Sequence, residues 1–320
     1  MLTAAEVDRP AAGPGQVVVR LAFAGVNYAD TYHRRGMYRG GHTYGVEPPF
    51  VPGLEGAGTV AEIGAGVAGL AKDDRVAFCL GQAAYAEFVS VPAWKLVKVP
   101  DAIALDVAAA VPVQGATAHY LTHSLRPLGP GDWALVHAAA GGAGRLIVQF
   151  AKRRGARVIA TVGDAAKAAI ARELGAEHVI PYREMPFAPE VRRITAGRGV
   201  DVVYDGVGAA TIAGSIASLA VRGTCALFGA ASGAVEHVTP MELAEAGSVF
   251  FTRPHLVHYM RDADEYRARL ADVFAAVADG SLDVAIDRVL PLAEARAAHE
   301  ALESRNTKGK LLLAAGATRA

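Results

Sequence analysis

The sequence predicts an α/β protein of two domains, one all-β and one built on a doubly wound parallel sheet, and three observations carry that prediction. From Gln16 to Pro100, short apolar or alternating runs are punctuated by glycine and proline. After about Asp106 the texture changes to alanine-rich helical stretches alternating with compact β-branched runs. A glycine-rich turn, finally, stands directly between a strand-like run and an apolar helix-like run. Period-two alternation suits antiparallel strands, whereas β-branched runs separated by helices read as βαβ units. At 320 residues the chain also exceeds the usual size of one domain.

Taken in order, QVVVRLAF, GTVAEIG, DRVAFCL, AAYAEFVSVP and KLVKVP are the expected strands of the β domain. Strands are then predicted over 133–138, 157–162 and 178–182, with helices over 142–154 and 165–174 between them. A second series follows with a strand over 200–207, a helix near 210–220 and a strand over 224–230. Two such halves make a doubly wound sheet. The tail offers helices over 262–279 and 293–303 and a strand over 310–316, which is expected to return to the β domain. The division therefore assigns 1–121 and 264–320 to the β domain and 122–263 to the parallel-sheet domain, with a ligand expected in the cleft between them.

Composition narrows the function. Lysine plus arginine and aspartate plus glutamate are both 32, so no broad field exists to attract nucleic acid or an anionic membrane. Neither is an expected partner. Two cysteines, Cys79 and Cys225, cannot build a disulfide framework, and no Cys/His cluster has metal-ligand spacing; both read as buried thiols. The start, MLTAAEVDRP, has Glu6 and Asp8 where a signal peptide needs a basic end, and no apolar run reaches membrane-spanning length, so the expected address is the cytoplasm.

Within ALVHAAAGGAGRLIVQF, Ala140-Gly141-Gly142-Ala143-Gly144 joins strand to helix. Small residues there let the backbone approach a pyrophosphate, and the helix start offers unpaired N–H groups and a positive dipole end. Alanine at the first position departs from strict G-x-G-x-x-G, and a tight turn in any α/β protein is the plain alternative. An NAD site would carry a carboxylate at the end of the second strand, roughly twenty residues on. That strand ends Thr161-Val162-Gly163, with Asp164 one step beyond. Lys167 and Tyr182 can converge where a 2′-phosphate would sit, so the cofactor expected is NADPH; against this, exposed lysines are common on helices and Tyr182 could simply end a strand.

Several motifs in order, GVNYADTY (25–32), PGLEGAG (52–58), VQGATAHYL (113–121), HAAAGGAG (137–144), ATVGDAAK (160–167), VVYDGVG (202–208), FGAASGAV (228–235), FTRPHL (251–256) and ESRNTKGKLLL (303–313), together resemble quinone oxidoreductase, the zinc-free, NADPH-dependent branch of the medium-chain dehydrogenase/reductase superfamily. The resemblance spans nearly the whole chain. It implies a GroES-like β domain holding both chain ends, a Rossmann domain between them, and a homodimer. Family members generally begin with a β-hairpin before the segment matching VDRPAAGPGQVVVRL, so the resemblance implies a missing first strand and a sheet edge that needs another cover. Gly206 stands where some relatives carry serine beside the cofactor.

Zinc-dependent relatives carry a metal-binding cysteine where GVN stands here, and a four-cysteine lobe that this chain lacks. The resemblance therefore implies no metal site, and an already electron-poor acceptor such as a quinone, polarised by hydrogen-bond donors. Matched residue by residue, Asn27 and Tyr32 fall in the nicotinamide and substrate pocket as the catalytic pair, Asn27 also touching the cofactor. A turn residue and a half-buried core tyrosine are the plain alternatives. The cofactor set adds Thr117, Gly141, Gly142, Ala143, Gly163, Lys167, Tyr182, Phe228, Gly229 and Arg305, the last reaching the phosphate end. Ten histidines show no ligand spacing. The reading is an NADPH:quinone oxidoreductase, with reduction of activated C=C bonds in enals, enones or enoyl thioesters as its nearest rival. A cofactor-binding structural or RNA-binding protein of crystallin type is the rival from another class.

Overall fold

The computed structural model describes residues 2–316. By contacts the chain divides into two compact units, one running to Ala116 and resuming at Met260, the other Thr117–Tyr259.

The first unit opens with β1 (Gln16–Val26), which leads into the short helix α1 (Tyr28–Arg34). It continues with β2 (Glu55–Ile63), β3 (Arg75–Cys79), β4 (Phe88–Pro92), β5 (Val97–Lys98), α2 (Leu105–Ala110) and α3 (Pro112–Tyr120), whose last residues belong to the second unit. The second unit carries β6 (Trp133–Val136), α4 (Gly142–Arg153), β7 (Arg157–Val162), α5 (Ala165–Glu173), β8 (His178–Pro181) and α6 (Phe187–Ile194). Its other half is β9 (Val200–Asp205), α7 (Ile212–Ala217), β10 (Leu219–Leu227), α8 (Pro240–Glu245) and β11 (Phe250–Thr252). The chain then returns through α9 (Ala263–Ala278), β12 (Ile286–Pro291), α10 (Ala295–Glu303) and β13 (Lys310–Ala314).

Among the described residues, the second unit's sheet has six parallel strands in the order β11-β10-β9-β6-β7-β8. This is the doubly wound pattern, and the order reverses between β6 and β9. Its core packs Leu135, Ile159, Ile180, Val203 and Leu219 from successive strands. Strand β10 begins at Leu219 rather than at 224, and it ends at Leu227, so Phe228 and Gly229 lie in the turn that follows. Strands β11 and β12 had no sequence signal: three and six residues, mostly half-exposed, carry no clean alternation.

The first unit's sheet runs β12-β13-β1-β2-β3-β5, with β4 also paired to β1. Strand β1 is covered along both edges, by β2 on one side and by β4 and then β13 on the other. Residues 2–15 form no helix or strand; the Arg9 guanidinium stacks 4.2 Å over the Phe88 ring of β4. Val17, Val19, Leu21, Phe78, Leu311 and Leu313 form its core.

Register decides what meets at the inner end of β1. Ala24 pairs with Gly56 and Val26 with Leu311, so Gly25 comes opposite Glu55, and Asn27 opposite Lys310. Gly25 and Asn27 share a face, because side chains alternate along a strand. With no side chain at Gly25, the Glu55 carboxylate can cross it, and Glu55 and Lys310 form an ion pair buried at 0% and 1% exposure. Glu55 Oε2 also accepts the Val113 N–H at the start of α3, at 2.6 Å. Among the described residues, no helix is long and apolar enough to cross a membrane.

A Cβ on Gly25 would lie 2.4 Å from Glu55 Oε1 and 2.7 Å from its Cδ, and the pinned carboxylate cannot swing away. Gly25→Ala should therefore lower the unfolding free energy by about 1–3 kcal/mol, the usual range for overpacking. Urea titration of the two proteins checks this, and equal midpoints would mean that the carboxylate is not held across this glycine.

Candidate functional site

Asn27 ends β1 and caps α1. Its side chain is spent inside the protein: Nδ2 donates to Glu55 Oε1 at 2.8 Å and to the Gly25 carbonyl at 3.4 Å, while Oδ1 accepts from Lys310 Nζ at 2.7 Å. The amide expected to orient a nicotinamide thus braces the buried ion pair, and the backbone of Asn27 starts the helix that carries Tyr32. Tyr32 is buried, with its ring 6.2 Å from that of Tyr28 and 5.9 Å from that of Tyr38.

Asp30, also on α1, is wholly buried; its Oδ2 accepts the Asn27 N–H at 2.8 Å and the Tyr85 hydroxyl at 3.3 Å, while Oδ1 has no partner. Burial, only partly countered by the Asn27 N–H and by Lys310, pushes its carboxyl from 3.8 up to about 7. Tyr85 meets His299 Nε2 at 3.0 Å, and Arg34 lies 3.4 Å from His299 Nδ1 while holding Glu303 with two bonds. A guanidinium can only donate, so Nδ1 accepts, Nε2 carries the proton, and Tyr85 is left to donate to Asp30. Burial, and then Arg34, hold His299 neutral and lower it from 6.5 to about 4. Arg305, at the end of α10, has a left-handed backbone (φ 60°) and is exposed; it belongs to this unit, and its charge acts on the Tyr28 phenol.

In the second unit, β6 runs into the turn 138–141, and Gly141 caps α4, so Gly141, Gly142 and Ala143 present their backbone at a twelve-residue helix start. Close approach explains the small residues: a Cβ on Gly144 would lie 2.3 Å from the Ala138 carbonyl oxygen. Phe228 and Gly229 pack on the turn after β9. A Cβ at Gly229 would lie 2.3 Å from Gly206 O, and one at Gly206 would lie 2.9 Å from the Phe228 ring. A serine at 206 would need Phe228 to move. Thr117 is half-buried on α3.

Gly163 and Tyr182 come together, while Lys167 is placed here only by its backbone, in the first turn of α5. Gly163 follows the end of β7, Asp164 caps α5 by accepting the Lys167 N–H at 2.9 Å, and the position a Gly163 Cβ would take is 3.3 Å from the Tyr182 hydroxyl. The same position is 3.5 Å from Arg183 Nε, a cation that the sequence reading passed over although it adjoins Tyr182. Asp164 is thereby engaged as a helix cap. A phenol and a guanidinium beside a small strand end suit a phosphate monoester.

Known proteins match along nearly the whole chain. Residues 13–101 match the alcohol dehydrogenase GroES-like domain, and residues 142–276 match the zinc-binding dehydrogenase family. A 2-haloacrylate reductase of a Burkholderia species is 44% identical over 313 residues, covering 96% of this chain and 93% of that protein. A mycobacterial protein solved in complex with NADPH superposes with a TM-score of 0.93 at 45% identity, covering 97% of this chain and 94% of that one. The Escherichia coli quinone oxidoreductase, solved with NADPH, gives a TM-score of 0.93 at 36% identity over 98% and 95%. The chain belongs to the quinone oxidoreductase family of medium-chain dehydrogenases/reductases.

The family model's name raises the question of zinc, and the donors present do not fit it. Cys79 and Cys225 are buried with their thiols pushed well up by desolvation, and Glu55 and Asn27 are already committed to Lys310. Among the described residues no three His, Cys, Asp or Glu side chains are grouped to hold a metal ion.

Asp30 and His299 pull the pH dependence of stability in opposite directions. Folding raises the Asp30 carboxyl, so the folded state holds a proton that the unfolded chain releases near pH 4, and stability falls as pH rises from about 4 to about 7. Folding lowers His299, so stability rises between about pH 4 and 6.5. Asp30→Asn should leave only the second slope, and the stability difference from the parent should grow with pH by up to about 1.4 kcal/mol per unit across pH 4–7. Denaturant titrations at four pH values test it; a difference constant with pH would mean that Asp30 ionises normally.

Proposed function

We propose that this protein is a cytoplasmic NADPH-dependent quinone oxidoreductase that works without a metal ion. The observation that carries the cofactor assignment is the approach of Tyr182 and Arg183 to Gly163 just past β7, where Asp164 is engaged as a helix cap. The NADPH complexes of two similar structures support it. Bound NADPH would supply a hydride from its nicotinamide.

The chain's own residues supply position and charge. Gly141, Gly142 and Ala143 offer backbone N–H groups to the pyrophosphate, Gly163 with Tyr182, Arg183 and Lys167 takes the 2′-phosphate, and Thr117, Phe228 and Gly229 line the nicotinamide end. Arg305 would offer a bidentate donor to a phosphate. Tyr32 donates its phenolic proton to charge developing on the acceptor oxygen. Asn27 acts through Glu55 and Lys310 as a positioning residue for α1. A quinone is the acceptor favoured, since hydrogen bonds alone must polarise it. The likeness to a 2-haloacrylate reductase favours, as the second reading, reduction of an activated C=C bond. The outer edge of β11, with Phe250 exposed, supports a homodimer.

A panel of quinones, enones and 2-haloacrylates, assayed for NADPH oxidation beside NADH, separates these. Quinones with NADPH should give the highest kcat/KM, and Tyr32→Phe should lower kcat on them more than it weakens NADPH binding, by less than the about 10²–10³ of a full oxyanion donor. Preference for the haloacrylate would establish the second reading, and preference for NADH would overturn the cofactor assignment.

A further inference from the structure

The residue between β6 and the glycine-rich turn is His137, buried at 2% exposure. Its Nδ1 lies 2.8 Å from Thr161 Oγ1, near the end of β7, and its Nε2 lies 3.0 Å from Ser215 Oγ on α7. Ser215 donates to Asp205 Oδ2 at 2.7 Å. Asp205 ends β9 and accepts the backbone N–H groups of Val207 and Gly208 at 2.8 and 3.0 Å, and the Thr211 hydroxyl at 2.7 Å.

Proton accounting makes this a one-way chain. The single Ser215 proton goes to the carboxylate, so Ser215 Oγ accepts from His137, Nε2 carries the hydrogen, and Nδ1 is the acceptor for Thr161. The order differs from that of a nucleophilic triad, in which the carboxylate holds the imidazole and the imidazole takes the serine proton. Here the serine hydroxyl is bound to the carboxylate and wholly buried, so nothing is activated. What the chain does is tie together the ends of β6, β7 and β9 at the point where strand order reverses, beneath the turns that begin at Ala138, Gly163 and Gly206. Ala138, next to His137, is held in a left-handed conformation (φ 50°) that a non-glycine residue keeps only when its surroundings impose it. Its carbonyl accepts the Gly141 N–H at 2.8 Å, so the strained residue sets the turn that opens α4.

We propose that the Thr161–His137–Ser215–Asp205 chain presets the cofactor-binding turns of the second unit, with His137 and Ser215 as positioning residues. This rests on the dinucleotide reading above. Because the chain holds the pyrophosphate turn that both nicotinamide cofactors share, breaking it weakens both alike.

The test measures NADPH and NADH dissociation constants by fluorescence titration, and kcat and KM, for the parent, Ser215→Ala and the near-isosteric Thr161→Val. Roughly tenfold weaker binding of both cofactors is expected, 1.4 kcal/mol each, with kcat at saturation falling less than KM rises. Amide exchange across 138–144 should quicken in the variants, while their melting temperatures stay well above the assay temperature. Unchanged affinity in both variants overturns the proposal, as does a loss confined to NADPH or one that falls on kcat. Should Ser215→Ala fail to fold, Thr161→Val decides alone. Failure of the dinucleotide reading itself would appear in the parent, as binding of neither cofactor.

Discussion

A single buried charge pair organises the first unit. The Glu55 carboxylate and the Lys310 ammonium are both removed from water, and each would be strongly destabilising without the other. Their mutual bonds are supplemented by the Asn27 amide and the Val113 N–H, so nearly every lone pair and proton has a partner. That requirement fixes three things at once: a glycine at 25 so that the carboxylate can cross β1, an amide at 27, and strand β13 in register beside β1. Because Asn27 also begins α1, the pair sets where Tyr32 and Asp30 stand.

The second unit follows a different constraint, the approach of backbone to ligand. Its turns are made of residues too small to block them, and the contacts that a Cβ would make at Gly144, Gly206 and Gly229 account for the small residues more directly than any preference for flexibility. At the far end of β7 the Arg183 guanidinium and the Tyr182 hydroxyl stand beside Gly163. In a chain of zero net charge, a phosphate site has to come from such local grouping rather than from a broad field.

Most of this architecture was legible from periodicity and punctuation. The strands of the β domain and the first βαβ half fell where alternation and the Gly141–Gly144 turn placed them, because those signals are local. The short, half-exposed β11 and β12 carried none. Site residues divided the same way. Gly163 and Tyr182 follow the ends of adjacent parallel strands, so strand-end reasoning alone sets them side by side. Glu55 and Lys310 were quoted only as parts of motifs, since a residue 255 positions away becomes a neighbour through strand register alone. Asn27 stands out through the family resemblance, but its bonds to Glu55 and Lys310 depend on that same register and carry no sequence signal. Asp30, Tyr85 and His299 look ordinary in the sequence; only burial makes them a linked titrating set.

The claim on which this account turns is that Glu55 and Lys310 act as one unit. A double-mutant cycle with Glu55→Gln, Lys310→Met and the combined variant, read as unfolding free energy in urea at pH 7, measures it directly. Each single change should cost about 3–5 kcal/mol, because it strands a buried charge, and the double should cost much less than their sum, with a coupling of at least about 2 kcal/mol. Additive losses would contradict the account, for they would mean that the carboxylate and the ammonium are each stabilised by something other than the other.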